Sequence, residues 1–261
     1  MLLKKYKIRM SKIGLIAISH MHGDHYYGLM GIISTFHLYG RKKSLVLIGP
    51  PGLSEIISLQ LKYSDTTLGF EIRFLEWKPN IEEQIFETSR ITIETVPMDH
   101  RIPCSGFIFR EKPKKRRLIK ELLQNDLVPA DLLDLKSGLD VLHLDGSVKY
   151  DHKSLTLPPV APFSYAYCSD TKYMPSLAQK IKGVDILYHE ATFANDMSDR
   201  AASTFHSTAE AAAQVARDGK VGRLLIGHFS SRYEDLDVLL QEARCIFPNT
   251  HLSIEGTEFT P

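Results

Sequence analysis

The sequence predicts an α/β fold in which helices cover β-sheets. Short apolar segments alternate with amphipathic segments near the N-terminus, strand-like segments cluster in the middle, and the alternation returns in the last third. Strands clustered between helical segments are typical of sheets packed against helices. Because no internal repeat and no linker between two cores is visible in the 261 residues, we expect a single domain over residues 1–261.

Apolar periodicity places the expected elements in chain order. The strands are expected at residues 15–18, 44–48, 70–77, 84–87, 91–96, 105–110, 164–168, 186–188 and 224–226. Helices are expected at residues 26–38 and 51–63. The segment Ser207, Thr208, Ala209, Glu210 has the pattern of a capping box, which predicts the start of an Ala-rich helix that Gly219 ends.

The composition excludes several classes of protein. With 43% apolar and 24% charged residues the chain is neither disordered nor of low complexity. A net charge of +1 gives no overall nucleic-acid signature, so a polyanion would have to bind a local patch. Cys104, Cys168 and Cys245 fit no disulfide framework, which predicts a reducing cytoplasm. No apolar run is long enough for a membrane span, and no membrane partner is expected.

A cluster of metal-ligand residues follows the first predicted strand. His20, His22, Asp24 and His25 lie around Gly23, which permits a tight turn. His20 and His22 point the same way in extended backbone, and the turn carries Asp24 and His25 toward a second position. Imidazole and carboxylate ligands without thiolates favour zinc, manganese or iron. The segment therefore predicts a site for two adjacent metal ions.

Three further residues stand at the ends of later predicted strands. These are His100, Asp170 and His228. A single histidine at a strand end is more often a structural hydrogen-bonding group, so each residue alone is weak evidence. Together they would complete a two-metal site, with Asp170 as the bridge because a carboxylate can offer one oxygen to each ion.

These segments resemble those of the metallo-β-lactamase superfamily and, within it, the ribonuclease Z family of tRNA 3′-processing endonucleases. The resemblance covers nearly the whole chain. The matching segments are 19–25 with Gly28 and Leu29, 97–103, 169–171 and 227–233. It implies a four-layer αβ/βα metallo-β-lactamase sandwich with an inserted basic arm, and a homodimer that acts on precursor tRNA.

The resemblance also implies a role for each site residue. One zinc would be held by His20, His22 and His100, the other by Asp24, His25 and His228, with Asp170 between them. Glu190 and His206 match segments assigned to a proton-donating pair, although Glu190 could instead only fix the His206 tautomer. Asp24 could also orient the attacking water, so the expected catalytic residues are Asp24, Glu190 and His206. Zinc is expected at two ions per chain, with manganese as a possible substitute.

A basic segment predicts how RNA would be held. Residues 110–120 contain seven Lys or Arg in eleven positions and begin an inserted arm at 111–162. Lys114, Lys115, Arg116 and Arg117 are the expected tRNA phosphate contacts, and a solvated charge run is the alternative. Arg232 could touch phosphate or form a surface salt bridge. The arm lacks the family's Gly-Pro signature and has Val128, Pro129 and Ala130 near its place.

The start of the sequence departs from the family pattern. The family places additional strands and an Asp-Cys-Gly-Glu-Gly turn ahead of the metal motif, whereas 18 residues precede Ser19 here. Residues 15–18 are therefore expected near an exposed sheet edge.

The sequence thus predicts a zinc-dependent endoribonuclease that cleaves the 3′ trailer from precursor tRNA and leaves a 3′-hydroxyl. Two alternatives remain open at this point. A phosphodiesterase or hydrolase of small esters on the same fold would share every metal ligand. An inactive RNA-binding remnant would result if the site had lost its geometry.

Overall fold

The structure is a computed structural model that describes residues 2–260. Its strands are β1 (Leu15–Ala17), β2 (Leu45–Gly49), β3 (Ile72–Glu76), β4 (Gln84–Glu87), β5 (Ile91–Pro97), β6 (Ser105–Glu111), β7 (Arg117–Leu118), β8 (Val141–Leu142), β9 (Val148–Tyr150), β10 (Thr156–Leu157), β11 (Ser164–Cys168), β12 (Ile186–Glu190), β13 (Arg223–Gly227) and β14 (Thr250–Leu252). Its α-helices are α1 (Leu2–Lys5), α2 (Gly23–Tyr26), α3 (Gly28–Leu38), α4 (Leu53–Tyr63), α5 (Pro129–Ser137), α6 (His152–Leu155), α7 (Leu177–Lys180), α8 (Ser198–Thr204), α9 (Ala209–Asp218) and α10 (Asp237–Ile246). Among the described residues, no helix combines the length and apolarity that crossing a bilayer requires.

The chain divides into two compact units. The first consists of Met1–Phe86, Ile93–Phe109 and Ser164–Pro261, and the second of Glu87–Thr92 and Arg110–Phe163. The metal-ligand candidates all belong to the first unit. The inserted arm expected at 111–162 lies within the second.

A small parallel sheet in the first unit has the strand order β1-β2-β3. Helix α3 buries Leu29, Ile33 and Phe36 against it, a spacing of four and three residues that places all three on one helical face. Because β1 pairs with β2 alone among the described strands, residues 15–17 lie at an edge of this sheet, as expected.

The larger sheet has the strand order β14-β13-β12-β11-β6-β5-β4. Strands β11 to β14 run parallel and carry helices α9 and α10. The buried face of α9 is mostly alanine, and these small side chains let the helix approach the sheet closely. The two sheets of this unit are joined where the Ser105 N–H donates to the Ser19 carbonyl at 3.0 Å.

Two details differ from the sequence expectations. The helix expected at 26–38 begins at Gly28 as α3, and a separate short helix, α2, precedes it within the metal motif. The capping-box prediction was wrong about its first residue. Thr208 is the N-cap of α9 and its hydroxyl accepts from the Ala211 N–H at 3.1 Å. Ser207 instead donates its hydroxyl to the Thr171 carbonyl at 2.7 Å.

The second unit has a small core of its own. Leu135, Val141 and Leu155 are buried together there. Strand β7 pairs antiparallel with β10, and β8 pairs with β9. The Nε of Arg116 donates to the Thr156 hydroxyl at 2.6 Å, which ties the basic segment to β10.

Candidate metal centre

The residues of the candidate centre follow the carboxyl ends of strands in the first unit. His20 follows β1, His100 follows β5, Asp170 follows β11, Glu190 ends β12 and His228 follows β13. Because β11, β12 and β13 are parallel, their ends meet at one edge of the sheet. The fold therefore brings side chains that are far apart in sequence to one place.

Two of these residues leave their strands in an unusual backbone conformation. Asp170 has φ 57° and His228 has φ 58°, in the left-handed region that non-glycine residues rarely adopt. Such a residue costs on the order of 1 kcal/mol and persists where its surroundings hold it. The conformation turns both side chains back toward the His20 loop.

One group of histidines surrounds one oxygen of Asp170. Nδ1 of His22 lies 3.0 Å from Nε2 of His20 and 3.1 Å from Nε2 of His100. Oδ2 of Asp170 lies 3.6 Å from Nε2 of His20 and 3.8 Å from Nε2 of His100. His20 is fully buried and Asp170 is 2% exposed. These four ligand atoms lie close enough together to hold one ion.

A second group faces the other oxygen of the same carboxylate. Oδ1 of Asp170 lies 3.3 Å from Nε2 of both His25 and His228. Oδ2 of Asp24 lies 3.4 Å from Nε2 of His25 and 3.7 Å from Nε2 of His228. The structure therefore places Asp170 between the two groups that the sequence suggested.

The hydrogen bonds of Nδ1 in His100 and His228 indicate that this nitrogen carries a hydrogen in both rings. Nδ1 of His100 lies 3.2 Å from the Phe205 carbonyl, which can only accept, so Nδ1 carries the hydrogen and Nε2 a lone pair. The Thr192 hydroxyl donates to Glu190 at 2.6 Å, so at 2.9 Å it accepts from Nδ1 of His228. Nε2 of His228 faces the carboxylates of Asp170 and Asp24 at 3.3 Å and 3.7 Å.

This donor arrangement fits bound cations. Ring nitrogens of histidines and oxygens of carboxylates converge here, so a cation between them would be held by several electron-pair donors at once. Burial, together with the neighbouring His25 and His100, lowers the pKa of His20 to about 3, so the ring is neutral at physiological pH. Burial likewise lowers the pKa of His25 and His100. The His and Asp cluster is consistent with metal binding.

Glu190 and His206 form a hydrogen-bonded pair beside the cluster. Nδ1 of His206 lies 3.0 Å and 3.2 Å from the two oxygens of Glu190. Burial by itself would lower the pKa of His206, but the hydrogen bond and charge of Glu190 outweigh it and raise the pKa above the ordinary value. The His206 ring centre lies 5.6 Å from that of His100 and 5.4 Å from that of His228.

The Glu190 carboxylate is held by groups that the sequence reasoning missed. It is fully buried and accepts from the Thr171 N–H at 2.6 Å, the Thr192 hydroxyl at 2.6 Å and the Ser207 N–H at 3.0 Å. Two of these donors are backbone N–H groups, which leave no signal in the sequence, and only the Thr192 hydroxyl near Glu190 could have been noticed. Phe205 was also missed. Its left-handed φ of 62° gave no sequence signal.

A small cavity opens beside His206. Its volume is about 300 Å³, and Lys172, Tyr173 and Asn195 contribute to its lining. Nζ of Lys172 lies 3.7 Å from the centre of the Phe205 ring. The cavity therefore offers cationic and hydrogen-bonding groups next to the candidate proton donor.

The remaining expected site residues lie outside the cluster. Arg232 donates to the Ser230 hydroxyl at 3.0 Å and its guanidinium stacks over Phe193. In the second unit Lys114 pairs with Glu111 at 3.0 Å, and Arg116 is tied to Thr156. Lys115 and Arg117 are exposed.

Comparisons with known proteins identify the family. No family profile matches the chain. In fold, it is similar to the short form of human tRNase Z, with TM-score 0.67 at 21% identity, covering 98% of this chain and 82% of that one. A metallo-β-lactamase fold protein from Bacillus subtilis gives TM-score 0.62 at 17% identity, covering 96% and 79%. These likenesses confirm the metallo-β-lactamase fold.

Two curated relatives share far more of the sequence. The chain is 48% identical to Ribonuclease Z of Cytophaga hutchinsonii over 237 residues, which are 91% of this chain and 76% of that protein. It is 42% identical to Ribonuclease Z of Bacteroides fragilis over 257 residues, which are 98% and 84% of the two chains. With this identity over most of both sequences, the chain belongs to the ribonuclease Z family.

Proposed function

We propose that this protein is an endoribonuclease that removes the 3′ trailer from precursor tRNA, using two zinc ions and leaving a 3′-hydroxyl on the tRNA. The observation that carries the proposal is the position of the Asp170 carboxylate between two sets of ligands, with the Glu190–His206 pair alongside. A paired metal site beside a proton donor suits hydrolysis of a phosphodiester.

The proposed ligands are those brought together in the centre. His20, His22 and His100 would hold one ion, Asp24, His25 and His228 the other, and Asp170 both. When bound, the ions would supply positive charge that lowers the pKa of water and offsets the charge of the phosphate. Manganese is compatible with the same nitrogen and oxygen donors.

Asp24 has a second proposed role. Its side chain is 67% exposed, unlike the buried Asp170, so one part of the carboxylate can face solvent while the other faces His25. From this position it would orient the attacking water and accept its proton.

His206 would donate a proton to the departing 3′-oxygen. Its Nδ1–H is engaged by Glu190, so the transferable proton is the one on Nε2 of the imidazolium. Glu190 stabilises that cation and fixes the ring orientation. As the bond between phosphorus and the 3′-oxygen breaks, the Nε2 proton passes to this oxygen and His206 becomes neutral.

The arm would supply affinity for the RNA. Its exposed Lys115 and Arg117, with Lys114 and Arg116, would contact phosphates of the RNA, and Arg232, close in sequence to His228, would contact others. A cytoplasmic location and a homodimer complete the proposal. Support for the location comes from the free cysteines Cys104, Cys168 and Cys245.

Two alternatives are less well supported. An inactive remnant would have a dispersed site, whereas the seven ligand side chains lie together. A hydrolase of small esters would share the metal ligands but would have no evident use for a basic arm.

The test is cleavage of a precursor tRNA transcript with a 3′ trailer in the presence of zinc or manganese. We expect one cut after the acceptor stem, a 3′-hydroxyl on the tRNA, and about two metal ions per chain by elemental analysis. The control is Asp170→Asn, which removes the charge of the carboxylate between the two ligand sets. This variant should not cleave the transcript and should bind fewer than two metal ions per chain. Small-ester hydrolysis without RNA cleavage would overturn the proposal.

A further inference from the structure

We propose that a basic groove on the first unit, distant from the metal centre, binds the phosphate backbone of the RNA substrate. We define the basic groove by the residues that line it: Ile8, Arg9, Met10, Ser11, Lys12, Phe36, Tyr39, Gly40, Arg41, Lys42 and Lys43. It has a volume of about 810 Å³. The inference deepens the proposed function and rests on it for the identity of the RNA.

The charge around the basic groove differs from that of the chain as a whole. Residues 1–54 contain eight Lys or Arg and a single acidic residue, Asp24, which belongs to the metal centre. Arg9, Lys12, Lys42 and Lys43 are exposed, and no acidic side chain lines the groove among the described residues. Glu255, which accepts from the Tyr6 hydroxyl at 3.4 Å, is not among the lining residues. A polyanion would meet concentrated positive charge here.

Arg41 has a structural role in the basic groove, because its guanidinium is bonded to backbone carbonyls and is not available to a ligand. Its guanidinium donates to the carbonyls of Ile13 at 2.8 Å, Lys43 at 2.7 Å and Ser44 at 2.8 Å. The same group stacks on Phe36 and Phe70 at 4.9 Å and 5.5 Å. Arg41 thereby fixes the turn at residues 41–44 against the segment that precedes β1. The two basic stretches are held side by side, with their own side chains left exposed.

Tyr39 adds a group that suits nucleic acid. It is 66% exposed at the end of α3 and lies in the lining between the two basic stretches. An exposed aromatic ring beside lysine and arginine can stack on an unpaired base while the cations hold the adjacent phosphates. An anionic membrane surface would also attract the cations and accept an interfacial tyrosine, but RNA is the polyanion that the proposed function brings to this protein.

The position of the basic groove indicates that it acts on affinity. Residues 8–12 precede β1 and residues 41–43 precede β2, whereas the His20 loop follows β1, so the groove lies at the opposite end of these parallel strands. At ~3.3 Å per extended residue, the two sites are separated by roughly 20 Å. A folded RNA is large enough to reach both, but the groove cannot touch the scissile phosphate.

The test compares variants of the full chain. The groove variant is Arg9→Gln, Lys12→Gln, Lys42→Gln, Lys43→Gln. Two controls of two charges each are compared: the partial groove variant Lys42→Gln, Lys43→Gln, and Lys182→Gln, Lys220→Gln, which removes exposed lysines from loops before β12 and β13. The dissociation constant of a precursor tRNA transcript is measured from 50 to 300 mM salt, roughly the range in which binding through phosphate contacts weakens steeply with salt. We expect the groove variant to bind about 10- to 100-fold more weakly, with a salt slope smaller by up to about 3–4, because each of the four lost phosphate contacts removes ~0.7–0.9.

Three further measurements separate the possible outcomes. Bound RNA should protect Lys12, Lys42 and Lys43 from chemical acetylation. This measurement uses the unaltered chain and so does not depend on whether a variant folds. Tyr39→Ala should weaken binding by several-fold and Tyr39→Phe should not, because the stacking ring remains. KM for cleavage should rise in the groove variant with kcat little changed.

A groove variant that matches the Lys182→Gln, Lys220→Gln control in affinity and salt slope overturns the inference, as does absence of lysine protection. So does loss of binding to phosphatidylserine vesicles with RNA binding unchanged, which would assign the groove to a lipid surface. If the unaltered chain binds the transcript through the groove but does not cut it, the proposed function fails while this inference stands.

Discussion

Glu190 illustrates how single residues set the chemistry of the centre. Its buried carboxylate receives two backbone N–H groups, a hydroxyl and the His206 ring. Such an acceptor-only group cannot be replaced by an amide without turning one N–H donor toward another. The carboxylate therefore both shapes the loop around residue 207 and raises the pKa of His206.

We predict that Glu190→Gln lowers the activity and moves its pH dependence. The charge of Glu190 raises the pKa of His206, so the imidazolium is present below that raised pKa and is lost as pH rises through it. Without the charge the pKa falls, and the alkaline decline of kcat should begin at lower pH. The measurement is single-turnover cleavage across pH 6–9, about the range that spans the ordinary His pKa. An unshifted alkaline limb would show that His206 is not the acid.

His206→Ala tests the same step by deletion. Removing a proton-transfer residue typically costs about 10²–10⁴-fold in rate. We expect a loss of this size in kcat with RNA affinity mostly retained, because the ring makes no proposed contact with distant phosphates. Cleavage at the unaltered rate under saturating RNA would rule out the leaving-group role.

Thr192 is expected to influence the metal site without being a ligand. Its hydroxyl accepts from Nδ1 of His228 and donates to Glu190. Loss of a residue that hydrogen-bonds to a metal ligand typically lowers metal affinity or activity by roughly 10- to 100-fold. Thr192→Val should show a loss of that order in a zinc titration, whereas Thr192→Ser keeps the hydroxyl and should restore binding. Equal affinity of the Val variant would mean that the His228 ring is oriented by other contacts.

At the scale of elements, the N-terminus of α9 can be tested directly. Thr208→Ala removes the side chain that accepts from the Ala211 N–H and should lower the free energy of unfolding by about 1 kcal/mol. Urea denaturation would measure the change, with Thr208→Ser as the control that retains a capping hydroxyl. A neutral Thr208→Ala would indicate that the cap lies elsewhere.

The elements also show how far the sequence could predict this protein. The sequence placed β4 and β11 at their observed bounds, and in β11 the reason is the alternating burial of its side chains. The seven candidate ligand positions could be proposed from the sequence because each follows an apolar strand or belongs to the His20 loop, and the structure brings their side chains together. The capping-box prediction failed at its first residue because Ser207 and Thr208 are both residue types that cap helices. Only the hydrogen bond from Ser207 to the Thr171 carbonyl, which is a tertiary contact, decides that Thr208 is the cap. The left-handed turns at Asp170, Phe205 and His228 left no local signal, since packing around the site imposes them.

At the scale of the whole molecule, positive charge is concentrated in two places within a nearly neutral chain. One is the basic groove of the first unit and the other is the segment 110–120 of the second. Each place contains both structural and exposed cations. Arg41 binds backbone carbonyls in the groove, and Arg116 binds Thr156 in the arm. Substitutions that neutralise whole basic stretches would therefore mix effects on folding with effects on binding.

We accordingly predict that exposed basic residues of the arm contribute to RNA binding, whereas Arg116 contributes mainly to stability. Lys115→Gln with Arg117→Gln removes exposed cations and should weaken binding of precursor tRNA and reduce its salt dependence, with little change in thermal stability. Arg116→Gln removes the donor to the buried Thr156 hydroxyl at 2.6 Å and should lower the free energy of unfolding by about 1–3 kcal/mol, because that hydroxyl still donates to the His152 carbonyl but loses the charged group from which it accepts. Filter binding between 50 and 300 mM salt, roughly the sensitive range, together with thermal melts would measure both. If Arg116→Gln alone reproduced the whole loss of salt dependence, the arm would bind RNA through the residue that the structure ties to β10.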